Sequence, residues 1–142
     1  MLLEPSIWSK LHGAATHFPI ALVIVSAFCD GVSLIPGDAE RQRGFRVVGT
    51  VTIVLGALGS YAAVVTGLVM SKWQVWGHGS LLRHHQFVWP AFALITGLAA
   101  WRFIARRQAA QELTALYLAL LLLAVAAMSG AGYWGGELLN QS

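Results

Sequence analysis

VVGTVTIVLGALGSYAAVVTGLVM, residues 47–70, runs without a charged side chain. A helix rises about 1.5 Å per residue, so about 20 apolar residues cross the roughly 30 Å hydrocarbon core of a bilayer. This stretch passes that length test, and three others of the same kind flank it, at about Ala14–Ile35, Leu82–Ile104 and Leu113–Trp134. Breaks separate them: Pro36-Gly37-Asp38, then Trp76-Gly77-His78-Gly79-Ser80, then Arg106-Arg107-Gln108. The reading predicts one all-α domain over residues 1–142, an integral membrane four-helix bundle with spans at about 14–35, 47–70, 82–104 and 113–134. The opening MLLEPSIWSK lacks the basic region of a secretory signal, so the first span is expected to be retained.

Composition agrees. The 142 residues are 57% hydrophobic and 11% charged, with a mean hydropathy of +0.67, whereas soluble domains carry about 25% charged residues. A disordered chain, a disulfide scaffold and a nucleic-acid module are excluded. Cys29 is the single cysteine, so neither an internal disulfide nor the Cys-x-x-Cys-His attachment of a c-type haem is available.

Lys and Arg predict the orientation. Arg41, Arg43, Arg46, Arg102, Arg106 and Arg107 share one side, against Lys10, Lys72 and Arg83 on the other. The positive-inside rule puts the six in the cytoplasm. Both termini and the second loop then face the periplasm, and the expected location is a bacterial inner membrane. Trp8, Trp73, Trp76, Trp89 and Trp134 fall near that outer face, as an interfacial aromatic belt would.

All five histidines, His12, His17, His78, His84 and His85, fall on the same outer side. Ionisable residues at membrane depth are costly and mark functional sites. His17 and His85 lie at similar depth inside the first and third apolar runs, which enter from the same face. One imidazole from each of two helices suits the two axial positions of a b-type haem, and Lys10, Lys72 and Arg83 are the cations available for its propionates. His17 and His85 are therefore the expected iron ligands, with His12 and His84 in reserve and Arg83 and Lys10 as rim contacts. The bland alternative is a set of interfacial histidines bonded to headgroups or backbone. His12 and His17 are about 140° apart around a helix, so they do not form an i,i+4 metal pair.

The run His12-Gly-Ala-Ala-Thr-His17-Phe18-Pro19-Ile20-Ala21-Leu22 resembles the His-x4-His-Phe-Pro-Ile-Ala-Leu opening of a family of four-helix bacterial membrane proteins of unassigned function. Asp30, Thr66-Gly67-Leu68, Arg83-His84-His85-Gln86 and Gly132-Tyr133-Trp134-Gly135-Gly136-Glu137-Leu138 carry the resemblance through the remaining chain. Members are often found beside or fused to c-type cytochrome or Rieske-type domains, which implies a role in respiratory electron transfer. Tyr133 stands where the family often has His, so the resemblance implies one haem b, not two.

The function expected is a non-catalytic b-type cytochrome subunit. It would pass electrons between a periplasmic or membrane redox protein, such as a c-type cytochrome or dehydrogenase subunit, and the membrane or its quinone pool. Quinone is the second candidate cofactor, lipid the surrounding partner, and any catalytic centre is expected on another chain. The alternatives are a haem-free anchor or assembly subunit, and a small transporter or metal-handling protein. Pro19 is expected in the first turn of its helix and Pro90 as a kink after His85. Gly59, Ala63 and Gly67 are expected to pack against a helix, Asp30 to pair with Arg46 or Arg102, and Tyr61 and Tyr117 to be core or interface residues.

Overall fold

The computed structural model describes residues 7–105 and 115–140. They form four helices, α1 (Ile7–Ser33), α2 (Ala39–Met70), α3 (Gly79–Ala105) and α4 (Ala115–Asn140). Each is long and apolar enough to cross a membrane. The helices overrun the apolar stretches at most ends because their polar termini continue the same hydrogen-bonded spiral. Arg106, Arg107 and the expected start of the fourth span at Leu113 lie outside the described residues.

Local chemistry sets the helix ends. Asp38 caps α2, its carboxylate accepting from the Arg41 backbone N–H at 3.0 Å. After Met70 the chain turns through Lys72 and Trp73, both at positive φ (52° and 64°), and through Gly77 and Gly79. Pro19 is not in the first turn, because α1 begins at Ile7 and places it mid-helix. It is tolerated there because Pro19 is buried against Gly56 and Gly59 of α2. Pro90 lies inside α3, as expected.

The packing is that of two hairpins. α1 packs most closely on α2 and α3 on α4, while α2–α3 and α1–α4 form thinner seams. A Cβ on Gly59 would stand 3.3 Å from Pro19 Cδ, and one on Gly56 3.1 Å from Val23 Cγ2. Small residues on α2 thus admit α1, as interhelical membrane contacts favour. All four helices supply the core, among them Val23, Ile53, Ala57, Ile95, Leu98, Tyr117, Leu121 and Ala124. Large apolar residues such as Phe28, Leu58, Ile104 and Leu122 point outward, the inverse of a soluble protein.

One end of the bundle is pinned by charge. Asp30 of α1 and Arg102 of α3 are 0% and 6% exposed and meet at 2.8 Å. The same Arg102 Nη2 donates to the Arg46 carbonyl of α2 at 2.9 Å, and its guanidinium lies over the Tyr117 ring of α4. Ser26 Oγ donates to the Gly49 carbonyl at 2.8 Å. The expected pairing of Asp30 is therefore with Arg102, and Tyr117 is a core residue. A side chain at Gly49 would strike the Asp30 carboxylate, so glycine lets α2 pass this close.

Candidate functional site

The other end of the bundle carries the histidines. His12 reaches from α1 to α2, its Nδ1 lying 3.0 Å from the Ala63 carbonyl and 3.1 Å from Thr66 Oγ1. His84 reaches from α3 to α4, with Nδ1 2.8 Å from the Ala131 carbonyl. His85 turns toward the α2–α3 loop, with Nδ1 3.0 Å from the Trp76 carbonyl. A carbonyl only accepts, so in each ring Nδ1 must carry the proton. The neutral ring then presents Nε2 with its lone pair. This is how metal-ligating histidines are held, one nitrogen spent on the second shell and the other left for the metal.

Glycines make room for two of these rings. A Cβ on Gly67 would lie 3.0 Å from His12 Cε1, and one on Gly135 3.3 Å from His84 Cε1. His12 and His84 thus lie against backbone of α2 and α4, one ring per hairpin. The His84 and His85 rings are 5.7 Å apart between centroids, and His12 stands at the same end of the bundle on the other hairpin.

His17 and His85 are not brought together. His85 is 6% exposed and lies under the loop, in ring contact with His84 and Trp89. His17 is exposed on the outer side of α1, with Nδ1 turned back to the Gly13 carbonyl of its own helix. The reason is helical phase: five residues separate His17 from the inward-facing His12, about 140° of rotation. Neither direction nor depth matches: His17 lies five residues inward of His12 and His85 one residue inward of His84, a difference of about 6 Å along the helices. His78 is exposed in the loop.

The rim residues are placed as follows. Arg83 sits over the Trp134 ring at 4.7 Å from its centroid, and Lys10 is exposed near the start of α1. Trp8, Trp73 and Trp76 face outward, and Trp89 Nε1 donates to the Val75 carbonyl at 2.9 Å.

The donor chemistry suits a bis-imidazole iron. Two imidazoles whose Nδ1 atoms are spent on carbonyls stand on separate hairpins, and the seams between the hairpins are the thinner ones. Among the described residues no group of three or more His, Cys, Asp or Glu side chains could hold a metal ion. Axial ligation needs two.

The charged layer at the opposite end escaped the sequence reading as a unit. Its signal was present. Asp30 and Arg102 lie eighteen residues beyond His12 and His84 respectively (12 to 30, 84 to 102), and eighteen residues are five turns of about 3.6. Each pair therefore shares one helix face.

No curated protein and no solved structure gives a significant match to the chain. Residues 9–142 match the family model described as "Predicted membrane protein (DUF2231)". With four apolar helices and a match that runs through all of them, the chain belongs to this family of membrane proteins.

Proposed function

We propose that the chain is a b-type haem-binding membrane subunit, with His12 and His84 as the axial imidazoles in place of His17 and His85. One observation carries the reading. Both rings spend Nδ1 on a carbonyl of a neighbouring helix, one ring on each hairpin and at the same end of the bundle, which leaves Nε2 for a metal. When bound, a bis-imidazole haem supplies a one-electron couple with no open coordination position. The chain's own part is to orient the two rings, exclude water with the apolar core below them, and offer Lys10 and Arg83 to the propionates. Tyr133 in place of a family histidine supports one haem.

The same reading places both termini on the periplasmic side of a bacterial inner membrane, from the Lys and Arg asymmetry. The electron partner is then a periplasmic or membrane redox protein, in keeping with the cytochrome and Rieske-type associations that the resemblance implies.

An absorption spectrum of the purified protein, expressed with ample haem, tests the proposal. Wild type is expected to show a low-spin Soret band that His12→Ala and His84→Ala abolish and His78→Ala leaves intact. No band in wild type, or one indifferent to His12 and His84, sinks it.

A second reading has its own observation. Trp8, Trp73 and Trp76 are 45%, 66% and 55% exposed along the histidine end, and aromatic residues are enriched at interfaces. A haem-free anchor would dock its partner there. That reading expects Trp73→Ala with Trp76→Ala to dissociate the partner complex in detergent. An intact complex would end it.

A further inference from the structure

His17 is polar, inside the membrane-spanning part of α1, and turned outward. It stands five residues, about 7.5 Å, nearer the bundle middle than the His12 layer. Its Nδ1 donates to the Gly13 carbonyl of its own helix, so in the neutral ring Nδ1 carries the proton and Nε2 is the acceptor. Ionisable side chains at this depth almost always face the bundle interior or a cavity, or pair with another group. This one presents a lone pair toward lipid.

Just below it lies the thin α1–α4 seam, where a cavity of about 170 Å³ is lined by Ile20, Ile24, Val125, Met128, Ser129 and Gly132. Ile24 is seven residues from His17, about two turns along nearly the same line of α1. The seam is apolar in effect, because Ser129 Oγ is spent on the Val125 carbonyl of its own helix. His17 therefore stands one to two helical turns from an apolar groove, above Ile20 and Ile24 on the same helix.

We propose that His17 and this groove bind an isoprenoid quinol. The head's hydroxyl would donate to His17 Nε2 and the first tail units would lie along Ile20, Ile24 and Gly132. This deepens the electron-transfer reading and rests on it for the choice of a redox lipid. The tautomer sets a preference. A quinol O–H can donate to Nε2, whereas a quinone carbonyl has no proton to give and meets a second acceptor. The site selects the reduced form, which neither an acyl chain nor a packed helix would do.

The test is calorimetric titration of the wild-type protein in phosphatidylcholine nanodiscs with decylubiquinol and with decylubiquinone. Phospholipid acyl chains are then present throughout as competitor. Quinol is expected to bind about tenfold tighter, the scale of one hydrogen bond plus the penalty of facing two acceptors. His17→Phe should remove the preference. Gly132→Leu should weaken both forms alike, since a Cβ there meets nothing within 4 Å and its side chain can occupy the seam without displacing another. Unchanged helical circular dichroism checks that both variants fold. Equal Kd for the two forms in wild type, or variants that bind as wild type does, overturns the proposal. So does a disulfide-linked dimer from His17→Cys in the same nanodiscs, which assigns the face to a second copy. Soret absorbance of the same samples separates the two ideas: quinol preference without a Soret band defeats only the haem reading, and a Soret band without preference defeats only this one.

Discussion

Asp30 and Arg102 meet at 2.8 Å inside one end of the bundle, and eighteen residues back along each of their helices stands an inward-facing histidine. The other two helices keep the same interval. Gly49, against Asp30, lies eighteen residues before Gly67, against His12; Tyr117, against Arg102, lies eighteen before Gly135, against His84. Five helical turns separate the layers on every helix, about 27 Å at 1.5 Å per residue. That is close to the hydrocarbon thickness of a bilayer. The two polar layers bracket the apolar core, and each is internally bonded where it enters the protein.

The ion pair is expected to be structural. Asp30→Asn leaves the Arg102 guanidinium buried without its counter-charge, and breaking a buried pair costs about 3–5 kcal/mol. Denaturant titration in detergent should show a loss of that size. Replacing both residues by Leu should recover most of it. A single variant as stable as wild type would mean that Arg102 is neutralised elsewhere.

Much of this architecture was legible in the residues. Four apolar runs with turn residues between them lead to four helices, since nothing else satisfies that much backbone in lipid. That Asp30 would pair with Arg46 or Arg102 followed from the cost of lone charges in the same medium, and the structure chooses Arg102. Direction was the harder matter. Depth counted from the start of an apolar run is coarse, about four residues out for His17 against His85, and rotation needs a reference residue whose face is known. Once Asp30 is fixed inward, His12 is in phase with it and His17 is about 140° out, so the bundle gathers His12 rather than His17. The pairing of hairpins is not written in any one helix, because each of the four is long and apolar enough to span and could pack against any other.

Glycine contacts offer a test of the ring positions that leaves every imidazole in place. Gly67→Val and Gly135→Val each put side-chain atoms where the His12 and His84 rings lie. Overpacking of this kind costs about 1–3 kcal/mol. Both variants are expected to insert, and under the haem reading to retain less than half of the wild-type haem per protein by pyridine haemochrome assay. Gly136→Val, where a Cβ meets nothing within 4 Å, should retain wild-type loading.

The orientation proposed from Lys and Arg is open to a direct check. An alkaline phosphatase fused after Ser142 is expected to be active in a bacterium, since that enzyme needs the oxidising periplasm. A fluorescent protein that matures only in the cytoplasm should be dark at the same position. Fluorescence there would reverse the topology.

His84 and His85 are neighbours held by different elements, α4 and the α2–α3 loop, and under the haem reading separating them is the last prediction. His85 Nδ1–H donates to the Trp76 carbonyl, and one helical turn on Trp89 Nε1–H donates to the Val75 carbonyl. Together they tie the α2–α3 loop to α3. The loop has reason to need tying, because Lys72 and Trp73 hold positive φ, a conformation that costs non-glycine residues about 1–3 kcal/mol each. Removing the clamp should let the loop open locally while the helices remain. His85→Ala is therefore expected to raise amide hydrogen exchange over residues 71–78 by about tenfold, the scale of one hydrogen bond and its desolvated partner, and to leave haem binding near wild type. His84→Ala is expected to do the reverse, since its ring is held by α4 and touches no loop carbonyl. Loss of haem with His85→Ala, at unchanged loop exchange, would move the ligand assignment from His84 to His85.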